Sequence, residues 1–324
     1  MTITITTSNV NGIRAAKRKG IEQWAAKNTP DVWCMQEVRA PQNEIDPIFD
    51  EFGFEYATAG RIADQSGLDR MNEICRIKGR AGVGLLSALP VIDKRYGLPG
   101  LAEDVDSGRW IEADVKTPQG YTVTVVCVYV HAGNTDDPEK MKQKYRFLDT
   151  MLVRMGQLRD EAAHGGKQAV LCGDFNIAHT PLDIKNAKAN EKHAGFLPEE
   201  RAYVDKWLGE LEFVDVMRSL CGDIQGPYTW WSQRGRAFDN NVGWRIDYQF
   251  ATPELAETAR GFVIDKAPTY DLRWSDHAPL SITYDVWVFA AVIRPMPGNG
   301  RTHSDSQPVL SMGARLVTVA TVMK

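Results

Sequence analysis

The sequence contains little cysteine, and its cysteines are not paired in any recognisable pattern. Five occur among 324 residues, widely spaced and without a CxxC pair: Cys34, Cys75, Cys127, Cys172 and Cys221. This spacing excludes the dense disulfide framework that is typical of small secreted domains. Three of the five lie in apolar runs, where a cysteine behaves as a small hydrophobic residue. We therefore expect reduced thiols in a cytoplasmic protein.

Long hydrophobic runs and a signal peptide are also missing. No apolar run approaches the roughly 20 residues that a membrane-spanning helix needs. Residues 1–6 alternate as a strand does and lack the charged start and apolar stretch of a secretory leader. These absences predict a cytoplasmic protein that has no membrane partner.

An excess of positive charge is missing too, because the formal net charge is −4. Proteins that bind nucleic acid are usually basic, so this value argues mildly against a generic nucleic-acid binder. However, basic residues cluster at 17–19, 76–80, 140–146, 185–192 and 234–236. A protein with a carboxylate metal site and basic rims can be acidic in sum and still bind phosphates locally.

The pattern of apolar residues predicts many strands with a few helices between them. We predict strands over residues 2–8, 32–36, 82–87, 109–115, 121–129, 169–172, 246–251 and 279–284. We predict helices over 138–159 and 198–211. This inventory indicates an α+β fold in which two packed sheets carry helices on the outside. Residues 1–284 would form the catalytic domain, and 285–324 an appendage whose C-terminal half is mobile.

Two short segments carry the strongest chemical signal. Asp174 is followed closely by Asn176 at the end of one predicted strand, and Asp276 directly precedes His277 before another. Hydrolysis of a phosphoester with a metal needs oxygen ligands for a hard cation, a base for water, and donors for the phosphoryl oxygens. Carboxylates beside an amide and an imidazole supply that combination.

Taken singly, these and other polar residues have ordinary interpretations. Glu37 after a strand is most often a solvated carboxylate, and Asn9 could simply form a turn. His277 alone is as often structural as catalytic, and Trp230 and Trp244 would usually be core residues. The functional interpretation depends on all of them occurring in one order with particular neighbours.

In that order, the chain resembles the exonuclease III family of apurinic/apyrimidinic endonucleases, within the superfamily that includes DNase I and inositol polyphosphate phosphatases. The matching blocks are residues 8–15, 30–37, 82–87, 173–179, 182–184, 228–232, 241–248 and 275–279. The resemblance covers roughly residues 1–284. It implies a four-layered α/β sandwich of two mixed sheets flanked by helices, and a Mg²⁺-dependent phosphodiesterase, with Mn²⁺ as a substitute, acting as a monomer on double-stranded DNA.

The resemblance also implies roles for individual residues. The residues implied to bind metal are Asn9, Glu37, Asp174, Asn176, Asp276 and His277, with Glu37 as the principal ligand. The residues implied to act in catalysis are Tyr129, Asp174, Asn176, Asp247 and His277, with Asp247 holding the His277 ring. The residues implied to contact the substrate are Trp230, Trp244, Ile246 and Asn190. We hypothesise that the two tryptophans and Ile246 wall a pocket for a deoxyribose that has lost its base.

Several alternatives stay open at the level of sequence. Either Asp174 or His277 could be the general base, and either one or two metal ions could bind. After Tyr129 the chain has Val-His-Ala-Gly-Asn where many relatives have a Pro-Asn-Gly turn, so His131 and Asn134 could replace the usual polar contacts. The expected activities are cleavage 5′ to an abasic site, 3′–5′ exonuclease and removal of 3′ blocking groups. The rivals are a phosphatase of small phosphorylated molecules and an inactive DNA-binding protein.

Overall fold

The structure, a computed structural model, describes residues 2–51, 69–73, 81–102 and 107–286. These residues all belong to one compact unit. The basic cluster at 76–80 lies outside the described residues. So does the expected appendage at 285–324, apart from Asp285 and Val286.

The first six-stranded sheet contains both chain-terminal strands of the described fold. Its order is β13-β14-β1-β2-β4-β3, and only β1 and β2 run parallel among its paired neighbours. The strands are β1 (Thr2–Asn9), β2 (Val32–Gln36), β3 (Asp69–Glu73), β4 (Val83–Ser87), β13 (Ala259–Ile264) and β14 (Leu280–Asp285). Threonine and apolar residues alternate along β1, and its Ile3 and Ile5 are buried.

The second six-stranded sheet has the order β5-β6-β7-β8-β12-β9, with β7 and β8 parallel. Its strands are β5 (Val91–Tyr96), β6 (Trp110–Lys116), β7 (Thr122–Tyr129), β8 (Gln168–Asp174), β9 (Val214–Asp215) and β12 (Asp247–Ala251). A separate two-stranded ribbon pairs β10 (Trp230–Trp231) with β11 (Gly243–Trp244). Central strands β7 and β8 are almost wholly buried, because both faces of this sheet are covered.

The two sheets pack face to face over a core of aliphatic side chains from both. Cys34, Cys127 and Cys172 are buried in this core as free thiols, as expected, and Cys221 is a free, half-buried thiol. Cys75 lies outside the described residues. Burial raises the pKa of the Cys34 and Cys127 thiols well above the usual value. The thiols therefore act as small apolar groups between the sheets.

Helices cover the outer faces and complete the four layers. They are α1 (Ile13–Arg18), α2 (Ile21–Asn28), α3 (Gln42–Glu51), α4 (Pro138–Ala163), α5 (Ala187–Asn190), α6 (Pro198–Gly209), α7 (Val216–Cys221) and α8 (Pro253–Glu257). One apolar cluster joins α1 and α2 to the first sheet, and another joins α4 and α6 to the second. Within the described residues, no helix is long and apolar enough to cross a membrane. The predicted α+β sandwich of two mixed sheets is confirmed.

The long predicted elements agree closely with the observed ones. Helix α4 begins at Pro138 as predicted, because Asp137 caps it through the Lys140 amide, and it continues past the predicted end at residue 159 to Ala163. The edge strands β3, β5, β9 and β13, the ribbon β10–β11 and the short helices were not predicted. These elements are short or half-exposed, so they carry little periodic signal.

Candidate active site

Neighbouring strands of the second sheet place three candidate residues side by side. Tyr129 at the end of β7 pairs in register with Asp174 at the end of β8, and Asp174 pairs with Asp247 at the start of β12. All three are at least nine-tenths buried. Tyr129 and Asp247, which are 45 and 73 residues from Asp174 in the sequence, thus lie next to it at one edge of the sheet.

The first sheet delivers Asn9 and Glu37 to the same place. The Asn9 amide donates to Glu37 Oε1 at 2.8 Å and to Asp174 Oδ2 at 2.9 Å, so one side chain joins carboxylates from both sheets. Arg39 forms an ion pair with Glu37 Oε2, and its guanidinium donates to Asn11 Oδ1 at 2.9 Å. The Asn11 amide in turn donates to Asp276 Oδ1 at 2.7 Å.

His277 lies between two carboxylates. Its Nδ1 is 2.9 Å from Asp247 Oδ2, and its Nε2 is 3.8 Å from Asp174 Oδ2. The backbone on either side is anchored, because the Ser275 hydroxyl donates to Asn9 O and accepts from the His277 amide. The ring is therefore oriented by Asp247 and points its other nitrogen towards Asp174.

These positions have displaced pKa values. Burial disfavours the imidazolium of His277, but the Asp247 and Asp174 carboxylates outweigh it and raise the pKa to about 9. Burial raises the pKa of Asp174 to about 7, and His277 only partly opposes the increase. Burial and the Asp174 charge also raise the pKa of Tyr129 to about 12. Near neutral pH the site combines a cationic imidazole, a carboxyl group near its titration point and a neutral phenol.

The backbone of the site is unusual in four places. Asn11, Glu37, Arg39 and Asn176 all have φ between +47° and +55°, a left-handed conformation that non-glycine residues rarely adopt. Such strain persists only where surrounding contacts fix it, and it is common at functional sites. For Asn176 these contacts include Asp174 Oδ1, which accepts from its backbone amide at 2.9 Å, and Val130 O, which accepts from its side chain at 2.9 Å.

Trp230, Trp244 and Ile246 lie together beside this cluster. The indole rings of Trp230 and Trp244 meet edge to face at 6.0 Å, and Trp230 is 6.4 Å from the His277 ring. Both indoles are half-exposed and pack on an apolar cluster that contains Ile246. The Trp230 indole also donates to Asp276 Oδ2 at 3.3 Å. These side chains thus form an apolar wall next to the carboxylates.

The remaining candidates lie further from the carboxylates. The Asn190 amide donates to Asn186 O at 2.8 Å, and no hydrogen bond within the described ranges joins it to the cluster. His131 packs edge-on against Phe147, and burial lowers its pKa to about 3. Asn134 is exposed, and its side chain accepts from the Asp136 amide to close a turn.

The donor set suits a hard divalent cation. Carboxylate oxygens of Asp174 and Asp247 and a ring nitrogen of His277 lie within 4.8 Å of one another. Asp247 Oδ1 is buried and accepts no hydrogen bond from any described residue. The Asn9 amide donates to Asp174 Oδ2 and to Glu37 Oε1, so a Glu37 oxygen lies near the same Asp174 oxygen that faces His277. Mg²⁺ is usually held by one or two carboxylates with water and phosphate, which favours the Asp174 and Glu37 oxygens over the imidazole nitrogen.

Arg39 was not predicted, and Asn11 had no assigned role. Strand alternation could not have predicted Arg39, because β2 ends at Gln36 and the backbone at Glu37 and Arg39 is left-handed. Arg109 was also missed, although its guanidinium lies 4.8 Å from the centre of the Tyr129 ring. Only the pairing of β6 with β7 reveals that contact.

Comparisons with known proteins agree on one family. A family model described as the endonuclease/exonuclease/phosphatase family matches residues 6–277. The chain is 29% identical to an exodeoxyribonuclease of Bacillus subtilis over 86% of this chain and 98% of the relative. It is similar to the structure of an AP endonuclease from Archaeoglobus fulgidus, with a TM-score of 0.71, 30% identity, and coverage of 87% and 99%. A 3′ phosphatase from Neisseria bound to a product DNA hairpin gives a TM-score of 0.71, 26% identity and the same coverage.

Proposed function

Because this chain belongs to the endonuclease/exonuclease/phosphatase family, we propose that it is a metal-dependent DNA-repair phosphodiesterase. Its activities would be cleavage 5′ to an abasic site, 3′–5′ exonuclease and release of 3′ blocking groups on double-stranded DNA. The observation that carries the proposal is the His277–Asp247 pair facing Asp174, which is joined through Asn9 to Glu37. A cationic donor, a basic carboxylate and a hard-cation ligand thus converge in one cluster of buried side chains.

Glu37 and Asp174, with Asn9 between them, are the residues that would hold Mg²⁺, and Asp276 would lie beside them. Bound there, the cation would neutralise charge on the scissile phosphate and favour a nucleophilic water. Glu37 comes first among the candidate ligands because the shared Asn9 amide places its carboxylate beside Asp174, and Arg39 orients it.

The partners of Asp174 and His277 support one division of work between them. His277 has Asp247 on one nitrogen and Asp174 towards the other, so the ring keeps its proton and acts as a donor to phosphoryl oxygen. Asp174 would then accept the proton of the attacking water, and the Asn176 amide group next to it would orient that water. Tyr129 would donate its hydroxyl proton as a hydrogen bond to the phosphate, because its phenol stays neutral.

Trp230, Trp244 and Ile246 would select the substrate. Their apolar wall borders the catalytic pair, where an extruded sugar would be placed. A sugar without a base loses no stacking when it leaves the duplex, which lowers the cost of extrusion by a few kcal/mol. A bulky base would also collide with the two indoles. Abasic sites would therefore be preferred over intact nucleotides.

Cleavage of a labelled duplex that contains one abasic-site analogue tests this function. We expect incision 5′ to the site with Mg²⁺ or Mn²⁺, followed by shortening of the new 3′ end by the exonuclease activity, and no product in chelator. Duplexes carrying a 3′-phosphate, an intact recessed 3′ end or no lesion are assayed in parallel, so that the three activities are separated. A His277→Ala variant controls for contaminating nucleases.

Other outcomes would identify the rivals. Release of phosphate from small phosphorylated molecules without any DNA cleavage would indicate the phosphatase. Tight binding of the abasic duplex without cleavage in either metal would indicate an inactive DNA-binding protein.

A further inference from the structure

One lysine of the basic cluster at 140–146 is not on the surface. Lys144 in α4 is fully buried, whereas Lys140, Lys142 and Arg146 are exposed. Its ammonium group donates to Asn176 O at 2.9 Å and to Ala132 O at 3.1 Å. Burying a lysine is expensive unless its charge is paired and its three donors are used. Two of these donors are used on loops at the end of the second sheet.

Glu200 near the start of α6 provides the paired charge. Its Oε1 is 2.6 Å from Lys144 Nζ, and both side chains have no exposed surface. Its other oxygen accepts from the backbone amides of Gly195 at 2.6 Å and Leu197 at 3.0 Å. The ion pair thus connects two helices to the loop around Gly195 as well as to Asn176.

The loop around Gly195 contacts two parts of the site at once. Gly195 has φ of +93°, and a Cβ atom there would lie 3.0 Å from the Trp244 ring and 3.2 Å from Asn176 O. This close approach requires glycine. The Gly195 backbone, fixed by Glu200, therefore supports the Trp244 ring and the Asn176 backbone together.

We infer that Lys144, paired with Glu200, is a positioning residue that holds Asn176 in its left-handed backbone conformation for catalysis. The inference rests on the proposed function for its kinetic consequences. The amide and side chain of Asn176 are held by Asp174 and Val130, and its carbonyl is held by Lys144. With the carbonyl free, Asn176 can relax to a right-handed conformation, which turns its side chain away from Asp174.

Fold stability alone does not account for this pair. A buried ion pair contributes little net stability compared with apolar residues of the same volume, because desolvation offsets the attraction. The Lys144 ammonium group has three described partners, and two of them are the backbone carbonyls of Ala132 and Asn176 beside the active site. The charge is placed where it fixes loop geometry.

The test replaces both charges together, because a single change would leave a buried, unpaired ion. In Lys144→Met/Glu200→Gln the glutamine carbonyl can still accept from Gly195 and Leu197. A matched control is Arg154→Met/Glu112→Gln, which removes another ion pair of α4, at 2.7 Å. Glu112 also accepts from Arg95 at 2.8 Å, and no hydrogen bond among the described residues joins these three side chains to the site loops. We expect kcat for the abasic duplex to fall about 30-fold or more in the first variant, because misplacing a catalytic group slows a reaction by roughly this order. We expect KM to stay within about threefold of the wild-type value. We expect the control to keep its kcat.

A double-mutant cycle with Asn176→Ala distinguishes positioning from general destabilisation. If Lys144 acts through Asn176, the loss from Lys144→Met/Glu200→Gln should shrink to about threefold or less when Asn176 is already alanine. Equal losses in both backgrounds, or an equal loss in the Arg154→Met/Glu112→Gln control, would overturn the inference.

Amide hydrogen exchange supplies a readout that needs no activity. Peptides covering residues 174–179 should exchange at least tenfold faster in Lys144→Met/Glu200→Gln than in the wild type, while β6 and β7 stay protected. Unchanged exchange at 174–179 would overturn the inference even if the protein cleaves DNA. Failure of the wild type to cleave any duplex would contradict the proposed function alone, and the exchange result would still decide the role of Lys144.

Discussion

Replacing Asp247 with asparagine should change how the stability of the protein depends on pH. Asp247 Oδ2 is the 2.9 Å partner of His277 Nδ1, and the imidazole is almost completely buried. Asparagine keeps the shape and can still accept from Nδ1, but it removes the charge that favours imidazolium. With that charge gone, burial dominates and the His277 pKa falls.

The direction and size of this change in stability with pH depend on how protonation of His277 is linked to folding. The folded-state pKa of His277 is about 9, above its ordinary value of 6.5. The stabilisation is therefore complete below pH 6.5 and is lost as pH rises towards 9, and it amounts to at most about 3 kcal/mol. Asp174 has a raised pKa of about 7, so ionising it also costs stability, but over pH 4 to 7. Above pH 7 the His277 contribution is the one that changes.

Urea unfolding of both proteins at pH 6, 7.5 and 9 measures this effect. Chelator is included because a cation bound only to the folded state would add stability. We expect the wild type to exceed Asp247→Asn by about 2 to 3 kcal/mol at pH 6 and by less than about 1 kcal/mol at pH 9. Asp205→Asn is the matched control, because His179 and Asp205 also form a histidine–aspartate pair, at 2.7 Å, but with an aspartate that is 69% exposed.

A constant difference between wild type and Asp247→Asn at all three pH values would refute the reasoning. It would mean that Asp247 stabilises the fold without holding His277 in the charged form. A pH-dependent difference of equal size in Asp205→Asn would assign the effect to histidine pairing in general.

Three further predictions concern the metal, the pocket and the sheet. Glu37→Gln should lower kcat/KM for an abasic duplex at least about 100-fold at fixed Mg²⁺ because a charged ligand is lost; full activity of this variant in chelator would contradict the metal role. Trp244→Ala should reduce the ratio of cleavage rates for abasic and intact duplex by about tenfold, since the wall that excludes a base is opened; an unchanged ratio in a folded variant would place lesion choice elsewhere. Gly173→Ala should destabilise the protein by more than about 3 kcal/mol in urea, because its Cβ would lie 1.9 Å from Val128 O, whereas Gly261→Ala, with no atom within 4 Å, should not.

The long elements and the available chemistry could be predicted from the order of residues. Alternation and apolar runs located β1, β2, β7 and α4 closely, because buried strands and long helices have strong periodicity. The order of motifs indicated the family, and comparison with known proteins confirms it. The residue types also limited the possible reactions, since carboxylates, an amide and an imidazole at strand ends suit metal-assisted phosphoester hydrolysis.

Which of these residues contact one another depends on how the two sheets pair and pack. Strand register places Tyr129, Asp174 and Asp247 side by side, and no local pattern encodes a pairing over tens of residues. Burial likewise separates Lys144 from the exposed lysines around it, although all belong to one basic run. The physical reason is that contacts between sheets, and the pKa values that depend on them, arise from packing of distant segments rather than from the residues beside them in the chain.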